Sequence, residues 1–174
     1  MKLNIIGQIV GFCAVVVSLL IYHQKTAKTM VRFKFVTDIL WIIHFILIGA
    51  YTGMCTTTIG LLREICIMKR KKYAFLGKNI VLLMFCFSFF VAAALTWKNA
   101  SSIFPAVASL VATLGFWSTG TKTIRGFSLI SSLSMFIYGV LNLSLATITN
   151  EVITTTSIIV SFITEKLKKV NGAC

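Results

Sequence analysis

Seven long apolar segments, separated by short polar or basic connections, run through the chain. A helix needs about 20 mostly apolar residues to cross the hydrocarbon core of a bilayer. Segments of about this size lie at 3–22, 33–50, 52–68, 79–97, 101–118, 127–144 and 146–164. The pattern therefore predicts an all-α, polytopic membrane protein with seven transmembrane helices, in which residues 1–174 form a single transmembrane domain.

The composition agrees with this prediction. Hydrophobic residues make up 57% of the chain and charged residues 12%, whereas a soluble domain averages about 25% charged residues. These charges are too few for a surface in contact with water. We therefore expect membrane lipids to cover the surface of the protein. The net charge of +13 would suit a nucleic-acid partner, but the basic residues lie between the apolar segments rather than on one polar face. No nucleic-acid partner is predicted.

The first segment also has the general form of a secretory signal peptide. Its apolar run of about 18 to 20 residues exceeds the usual length of the apolar region of such a peptide, and no A-x-A-like cleavage site follows. We therefore expect a retained membrane helix.

The distribution of basic residues predicts the orientation in the membrane. Basic residues in short loops stay in the cytoplasm. With seven spans, the first, third and fifth loops and the C-terminus share one side, which holds Lys25, Lys28, Arg32, Lys34, Lys69, Arg70, Lys71, Lys72, Lys78, Lys122, Arg125, Lys166, Lys168 and Lys169. The other side holds only Lys2 and Lys98. We expect the N-terminus outside and the C-terminus in the cytoplasm.

A displacement of the chain by 94 positions brings the spans into correspondence. Spans one, two and three fall on five, six and seven, and Lys28-Thr29 falls on Lys122-Thr123. Span four remains as a linker. The correspondence predicts two parallel three-helix repeats, 1–68 and 101–166, joined by a linker helix at 79–97 (3+1+3). Parallel repeats are a common plan for transporters, with the substrate site at their interface near the bilayer midplane.

Four stretches carry a resemblance to a known family. They are "QKTAKTM" (24–30), "HFILIGAYTGM" (44–54), "IGLLRE" (59–64) and "FWSTGTKTIRGFSLISS" (116–132). Over nearly its whole length the chain resembles the YgjV family of bacterial inner-membrane proteins, which is itself similar to the SWEET, SemiSWEET and PQ-loop group with its 3+1+3 helices. The resemblance implies a small-solute transporter in the inner membrane.

The chain departs from the SWEET-like pattern in one feature and from the YgjV-like pattern in another. Pro105, its only proline, lies in the outer third of the fifth span, away from the usual hinge near the cytoplasmic end of the first helix of each bundle. YgjV-like sequences usually have asparagine where Gly139 stands and close to where Thr57 or Thr58 stands. The sugar specificity of SWEET-like relatives is therefore not carried over to this chain.

Three charged residues inside the second and third spans are gate candidates: Asp38, Arg63 and Glu64. Asp38 and Arg63 each lie about five residues from the basic side on adjacent helices, and a charge at the centre of a span costs about 2.5–3.5 kcal/mol without a partner. We expect an Asp38–Arg63 ion pair at a cytoplasmic gate. Lys34 is the rival partner for Asp38, and Arg63 has the alternative of reaching the lipid headgroups.

Glu64 has no evident partner in the sequence. Adjacent helical residues point about 100° apart, so Arg63 and Glu64 are not expected to pair with each other. Glu64 either reaches the interfacial lysines or faces the cavity.

Six further residues are candidates for lining a substrate cavity: Trp41, His44, Thr57, Tyr138, Asn142 and Glu151. His44 and Tyr138 are repeat mates, as are Thr57 and Glu151. For Trp41, His44 and Tyr138 the alternative is ordinary core packing. Acidic residues inside spans mostly face a bundle interior or water, so Glu151 is a cavity or proton-coupling candidate, unless its helix starts later and it lies in the outer interface.

No catalytic function is predicted. The sequence has no P-loop, GxGxxG, HExxH or GxSxG motif, and its five cysteines show no CxxC pair, so no enzyme activity, cofactor or metal is expected. The predicted function is facilitated or proton-linked passage of a small polar solute by alternating access between two helix bundles. The alternative is a non-transporting membrane accessory or structural protein, and a homo-oligomer is left open.

Overall fold

The computed structural model describes residues 5–97 and 99–171, the last four as backbone only. Within these residues there are seven α-helices: α1 (Ile5–Leu19), α2 (Ala27–Ile48), α3 (Tyr51–Lys69), α4 (Asn79–Leu95), α5 (Ile103–Trp117), α6 (Thr121–Leu141) and α7 (Leu145–Asn171). Short 3-10 turns at Ala74–Gly77 and Ala100–Ser102 precede α4 and α5. The all-helical prediction with seven helices is confirmed. Lys2, Lys98 and the side chains of Lys168 and Lys169, used in the charge argument, lie outside the described residues.

Two helices begin six residues before the predicted apolar segments. α2 starts at Ala27 rather than 33, and α6 starts at Thr121 rather than 127. The Thr26 side chain accepts a hydrogen bond from the Thr29 backbone N–H and thereby caps α2. An apolar segment in the sequence indicates only the part of a helix that lies in an apolar environment. A polar first turn that is capped can extend the helix beyond that environment. The expected placement of Lys28 and Lys122 in loops is wrong, because they lie in the first turns of α2 and α6.

Six helices form a closed ring. Around it α1, α2, α3, α5, α6 and α7 each pack against the next, and α7 packs against α1. α4 lies outside this ring, against α3 and α5. We call the six the ring helices. α1 and α7 run in the same direction, since Ser18 contacts Asn150 and the Tyr22 carbonyl, just after α1, contacts Ser161 further along α7.

Arginine contacts gather several chain connections at one end of the bundle, which we call the basic end. Arg125 in the first turns of α6 donates to the Tyr22 carbonyl (3.1 Å) and pairs with Glu165 of α7 (3.1 Å). Arg70, after α3, donates to the Trp117 carbonyl at the end of α5 (2.7 Å). α1 begins at the opposite end, so the two ends of the described chain lie at opposite ends of the bundle.

The distribution of polarity is that of a membrane protein. Large apolar side chains are exposed on the outside, and the outer face of α4 is an example with Leu83, Phe87 and Phe90 each more than 60% exposed. The buried positions hold about as many polar and charged side chains as apolar ones. Because charge and hydrogen bonding are concentrated inside, the exterior suits lipid rather than water.

Among the described helices, three are long and apolar enough to cross a membrane by length and composition: Ala100–Trp117, Thr121–Leu141 and Leu145–Leu167. Ile5–Leu19 and Asn79–Leu95 are shorter apolar helices. The charged residues inside α2 and α3 lower the mean hydropathy of those two helices. The site described below is built on these charges.

Two apolar clusters occupy the two halves of the ring interior. One lies toward the basic end and consists of Ile21, Tyr22, Met30, Val31, Ile67, Phe116, Ile124 and Ile158. The other lies toward the opposite end and consists of Ala14, Val15, Trp41, Phe45 and Ala146. Close helix packing supports the second cluster, because a Cβ on Gly11 would lie only 2.7 Å from the Ala146 Cβ. The polar region of the interior lies between the two clusters.

Candidate functional site

A cavity of about 130 Å³ lies inside the ring and is lined by side chains from all six ring helices. We call it the central cavity. Residues of both apolar clusters contribute to its wall, so it lies between them. For comparison, an engineered apolar cavity of about 150 Å³ admits benzene. The central cavity therefore has room for a small solute or a few water molecules.

The lining of the central cavity follows the displacement of 94 positions found in the sequence. Nine pairs of lining residues are related by it: Ser18 and Ala112, Tyr22 and Phe116, Lys34 and Ser128, Thr37 and Ser131, Asp38 and Ser132, Trp41 and Met135, Thr56 and Asn150, Thr57 and Glu151, Gly60 and Thr154. Corresponding positions in the two halves thus point the same way, toward the cavity. The positions correspond, but the charges do not. Lys34, Asp38 and Glu151 correspond to the uncharged residues Ser128, Ser132 and Thr57.

Arg63 and Glu64 form a buried ion pair. Arg63 Nη2 lies 2.7 Å from Glu64 Oε1, and Arg63 Nη1 donates to Thr113 Oγ1 on α5 at 2.7 Å. The guanidinium carbon lies 5.5 Å from the centroid of the Phe116 ring. The expectation that these two residues would not pair is wrong, and so is the alternative in which Arg63 reaches the headgroups. Helix geometry fixes only the Cβ directions, and the long arginine side chain bends back to its neighbour where water does not compete.

Asp38 pairs with Lys34, one helical turn earlier, and not with Arg63. The predicted Asp38–Arg63 ion pair is wrong, and the rival partner is correct. The two groups nevertheless share one wall, because Asp38 Oδ2 and Arg63 Nη2 each lie 3.6 Å from the point that a Cβ on Gly60 would occupy. They are therefore within about 7 Å of each other. Asp38 Oδ2 has no hydrogen-bond partner among the described residues.

Glu151 is buried in the second turn of α7 and lines the central cavity. The alternative placement in the outer interface is wrong, because α7 begins at Leu145. Ser132 Oγ on α6 donates to Glu151 Oε2 at 2.6 Å, and Asn150 Nδ2 donates to Oε1 at 2.9 Å. Asn150 Oδ1 in turn accepts a hydrogen bond of 2.5 Å from Ser18 Oγ on α1. Three helices thus hold the carboxylate in one position.

The structure brings five of the predicted site residues to the central cavity, namely Trp41, Thr57 and Glu151 with the gate candidates Asp38 and Arg63. Glu64 is fully buried behind Arg63 and does not belong to the lining.

The other three predicted cavity residues lie elsewhere. His44 Nδ1 donates a hydrogen bond to the Gly7 carbonyl at 2.8 Å, and the ring packs between α1 and α2. Tyr138 is buried against the backbone of Gly53, and Asn142 donates to the Tyr138 carbonyl at 3.0 Å, at the end of α6. The prediction that they line the cavity is wrong. The sequence predicted how deep these residues lie along the bundle. It did not predict the helix face that carries them, and this face decides which side chains reach the cavity.

Sequence reasoning missed the polar residues that orient Glu151. Ser132, Asn150 and Ser18 carry no charge and belong to no catalytic motif, so each alone is unremarkable. The displacement of 94 positions was the available signal, because it places Ser132 on Asp38 and Asn150 on Thr56.

A ring of helices with an apolar exterior and a charged, hydrogen-bonded interior defines an integral membrane protein. The sequence agrees, since residues 5–168 match the model of the YgjV family, described as bacterial inner membrane protein. The chain belongs to this family and is a bacterial inner membrane protein. No curated protein and no solved structure matches it.

Proposed function

We propose that this protein transports a small polar solute across the inner membrane by alternating access between two helix bundles. The observation that carries the proposal is the central cavity itself. Most of its lining residues are polar or charged, all six ring helices contribute to it, and an apolar cluster lies toward each of its ends. Ionisable residues inside a membrane bundle are rare, and they commonly mark substrate or ion pathways, which a static membrane scaffold does not need.

The two bundles are α1–α3 and α5–α7, with α4 as the linker, in a SWEET-like 3+1+3 arrangement. Two observations support this proposal. Nine pairs of cavity residues are related by 94 positions, and the packing order α1–α2–α3 is repeated in α5–α6–α7. Repeats that meet at a shared site can rock against each other and expose that site to either side in turn.

The proposal includes an orientation. The basic end would face the cytoplasm, which places the N-terminus outside and the C-terminus inside, because basic residues near the membrane stay on the cytoplasmic side. Membrane lipids would cover the apolar exterior, and a homo-oligomer would use the same exterior. Transport of this kind needs no catalytic group and no cofactor.

A ligand screen followed by a transport assay tests the proposal. A solute that binds only the folded state raises its thermal stability. The purified protein is screened with small polar metabolites, and each stabilising solute is tested for counterflow into proteoliposomes, with protein-free liposomes as the control. Stabilisation with counterflow supports transport. If no solute both stabilises the protein and crosses the membrane with it, the accessory role becomes the better account.

A further inference from the structure

We infer that the solute carries a positively charged, hydrogen-bond-donating group, of the amine class, and that Glu151 binds this group. The inference rests on the proposed function, because it names the substrate class of the same central cavity. It begins from the pairing of the buried charges. Arg63 pairs with Glu64, and Lys34 pairs with Asp38.

Glu151 is the cavity carboxylate that belongs to neither ion pair. No lysine, arginine or histidine side chain of the described residues forms an ion pair with it, and it is 8% exposed. Its partners are the neutral donors Ser132 and Asn150. With both ion pairs neutral overall, the ionised Glu151 carboxylate leaves this group of five charges, which includes Glu64 buried behind Arg63, with one uncompensated negative charge. A single positive charge on the solute would compensate it.

The hydrogen-bonding capacity of the site fits a donor-rich ligand. An ionised carboxylate offers about four acceptor positions, and Glu151 uses two of them. Asp38 contributes a further acceptor, because its Oδ2 is unpartnered in the described part of the chain while the residue is 1% exposed and lines the same cavity. An ammonium group, with three donors, can use acceptors of this kind.

Two aromatic residues of the lining also suit a cation. Trp41 and Tyr22 are part of the cavity wall, and aromatic faces attract ammonium and guanidinium groups. The Phe116 ring already faces the Arg63 guanidinium. The volume of about 130 Å³ restricts the ligand to a small amine. The Glu151 carboxylate is already oriented by Ser132 and Asn150, so binding does not need to order it first.

Binding of methylammonium and ethanolamine to the purified full-length protein tests the inference, with acetamide and acetate as neutral and anionic probes of similar size. We expect a saturable rise in melting temperature with the two amines and none with the other probes at equal ionic strength. In Glu151→Gln the affinity for the amines should fall at least about tenfold, because a hydrogen-bonded charge partner is lost.

Two further variants control for damage to the fold. Glu151→Asp keeps the charge and should retain measurable amine binding. Glu165→Gln removes a half-exposed carboxylate that pairs with Lys122 and Arg125 outside the cavity, and it should leave amine affinity unchanged. Should Glu165→Gln lose as much amine affinity as Glu151→Gln, the assignment to Glu151 is overturned.

The inference and the proposed function fail in different ways. The inference is wrong if acetamide or acetate binds in a Glu151-dependent manner, or if Glu151→Gln binds amines as well as the wild type. In either case, protonation of Glu151 becomes the better explanation for the absence of a cationic partner among the described side chains. If amines bind through Glu151 but the cavity opens to one side only, transport is wrong and the assignment of the cation site stands.

Discussion

Ser132 on α6 and Glu151 on α7 are joined by a hydrogen bond of 2.6 Å between Oγ and Oε2, and the residues 94 positions before them are Asp38 and Thr57. In the first half the carboxylate is therefore on the second helix, and in the second half it is on the third. All four residues line the central cavity. The same two positions thus supply one acid and one hydroxyl in each half, in opposite order, and only the acid of the first half has a lysine partner.

The stability of the fold should depend on whether Arg63 and Glu64 are present together. Arg63→Met leaves the fully buried Glu64 without its cation, and removal of one partner of a buried ion pair costs about 3–5 kcal/mol. Arg63→Met/Glu64→Met should recover most of this loss, since apolar replacements of a buried pair are often tolerated. Thr113 keeps its hydrogen bond to the Ser109 carbonyl in both variants. Unfolding in mixed detergent micelles measures the difference.

Lys122→Met is the control for this comparison. Lys122 pairs with Glu165 at 3.4 Å but is 57% exposed, so its loss should cost about 0.5 kcal/mol or less. A double variant as unstable as Arg63→Met would show that the single substitution acts through something other than the unpaired Glu64.

Gly11 should tolerate no side chain. A Cβ at this position would lie 2.7 Å from both the Ala146 Cβ and His44 Nδ1, so Gly11→Ala forces α1 away from α2 and α7. We expect a loss of about 1–3 kcal/mol, as for other overpacked interiors. Gly126→Ala on α6 is the matched control, because a Cβ there meets nothing within 4 Å and alanine favours a helix by about 0.5–1 kcal/mol. Equal stability of the two variants would contradict the tight packing of α1.

The orientation is tested by labelling single cysteines in intact cells. Tyr73, in the connection after α3 at the basic end, and Trp97, after α4, are 51% and 55% exposed. In a protein freed of its five native cysteines, a membrane-impermeant maleimide should label Trp97→Cys and spare Tyr73→Cys until the cells are opened. Labelling of Tyr73→Cys alone in intact cells would reverse the orientation.

The sequence predicted the helices well, because long apolar segments are the direct requirement for a helix that contacts lipid. It predicted helix starts poorly at α2 and α6, where the first residues are polar. Thr26 caps α2, and Arg125 ties the start of α6 to the Tyr22 carbonyl and to Glu165. Hydropathy contains no information about such turns.

Cavity residues were predictable by depth and by repeat position, but less so by helix face. Trp41 and His44 are three residues apart on α2, and Trp41 lines the cavity whereas His44 contacts Gly7 of α1. The pairing of Arg63 was not predictable from helix geometry, because rotation of the long side chain and the position of Thr113 on α5 decide it. Both depend on packing between helices that are far apart in sequence.

Two-sided access to the central cavity tests the account most directly. Thr57 lines the cavity, and Thr57→Cys in the cysteine-free protein is exposed to a charged, membrane-impermeant thiol reagent in right-side-out and in inside-out vesicles. Met84→Cys, on the outer face of α4 where Met84 is 60% exposed, is the control and should react from neither side because lipid covers it. Alternating access predicts that Thr57→Cys reacts from both sides. Reaction from one side only, or from neither, would contradict it.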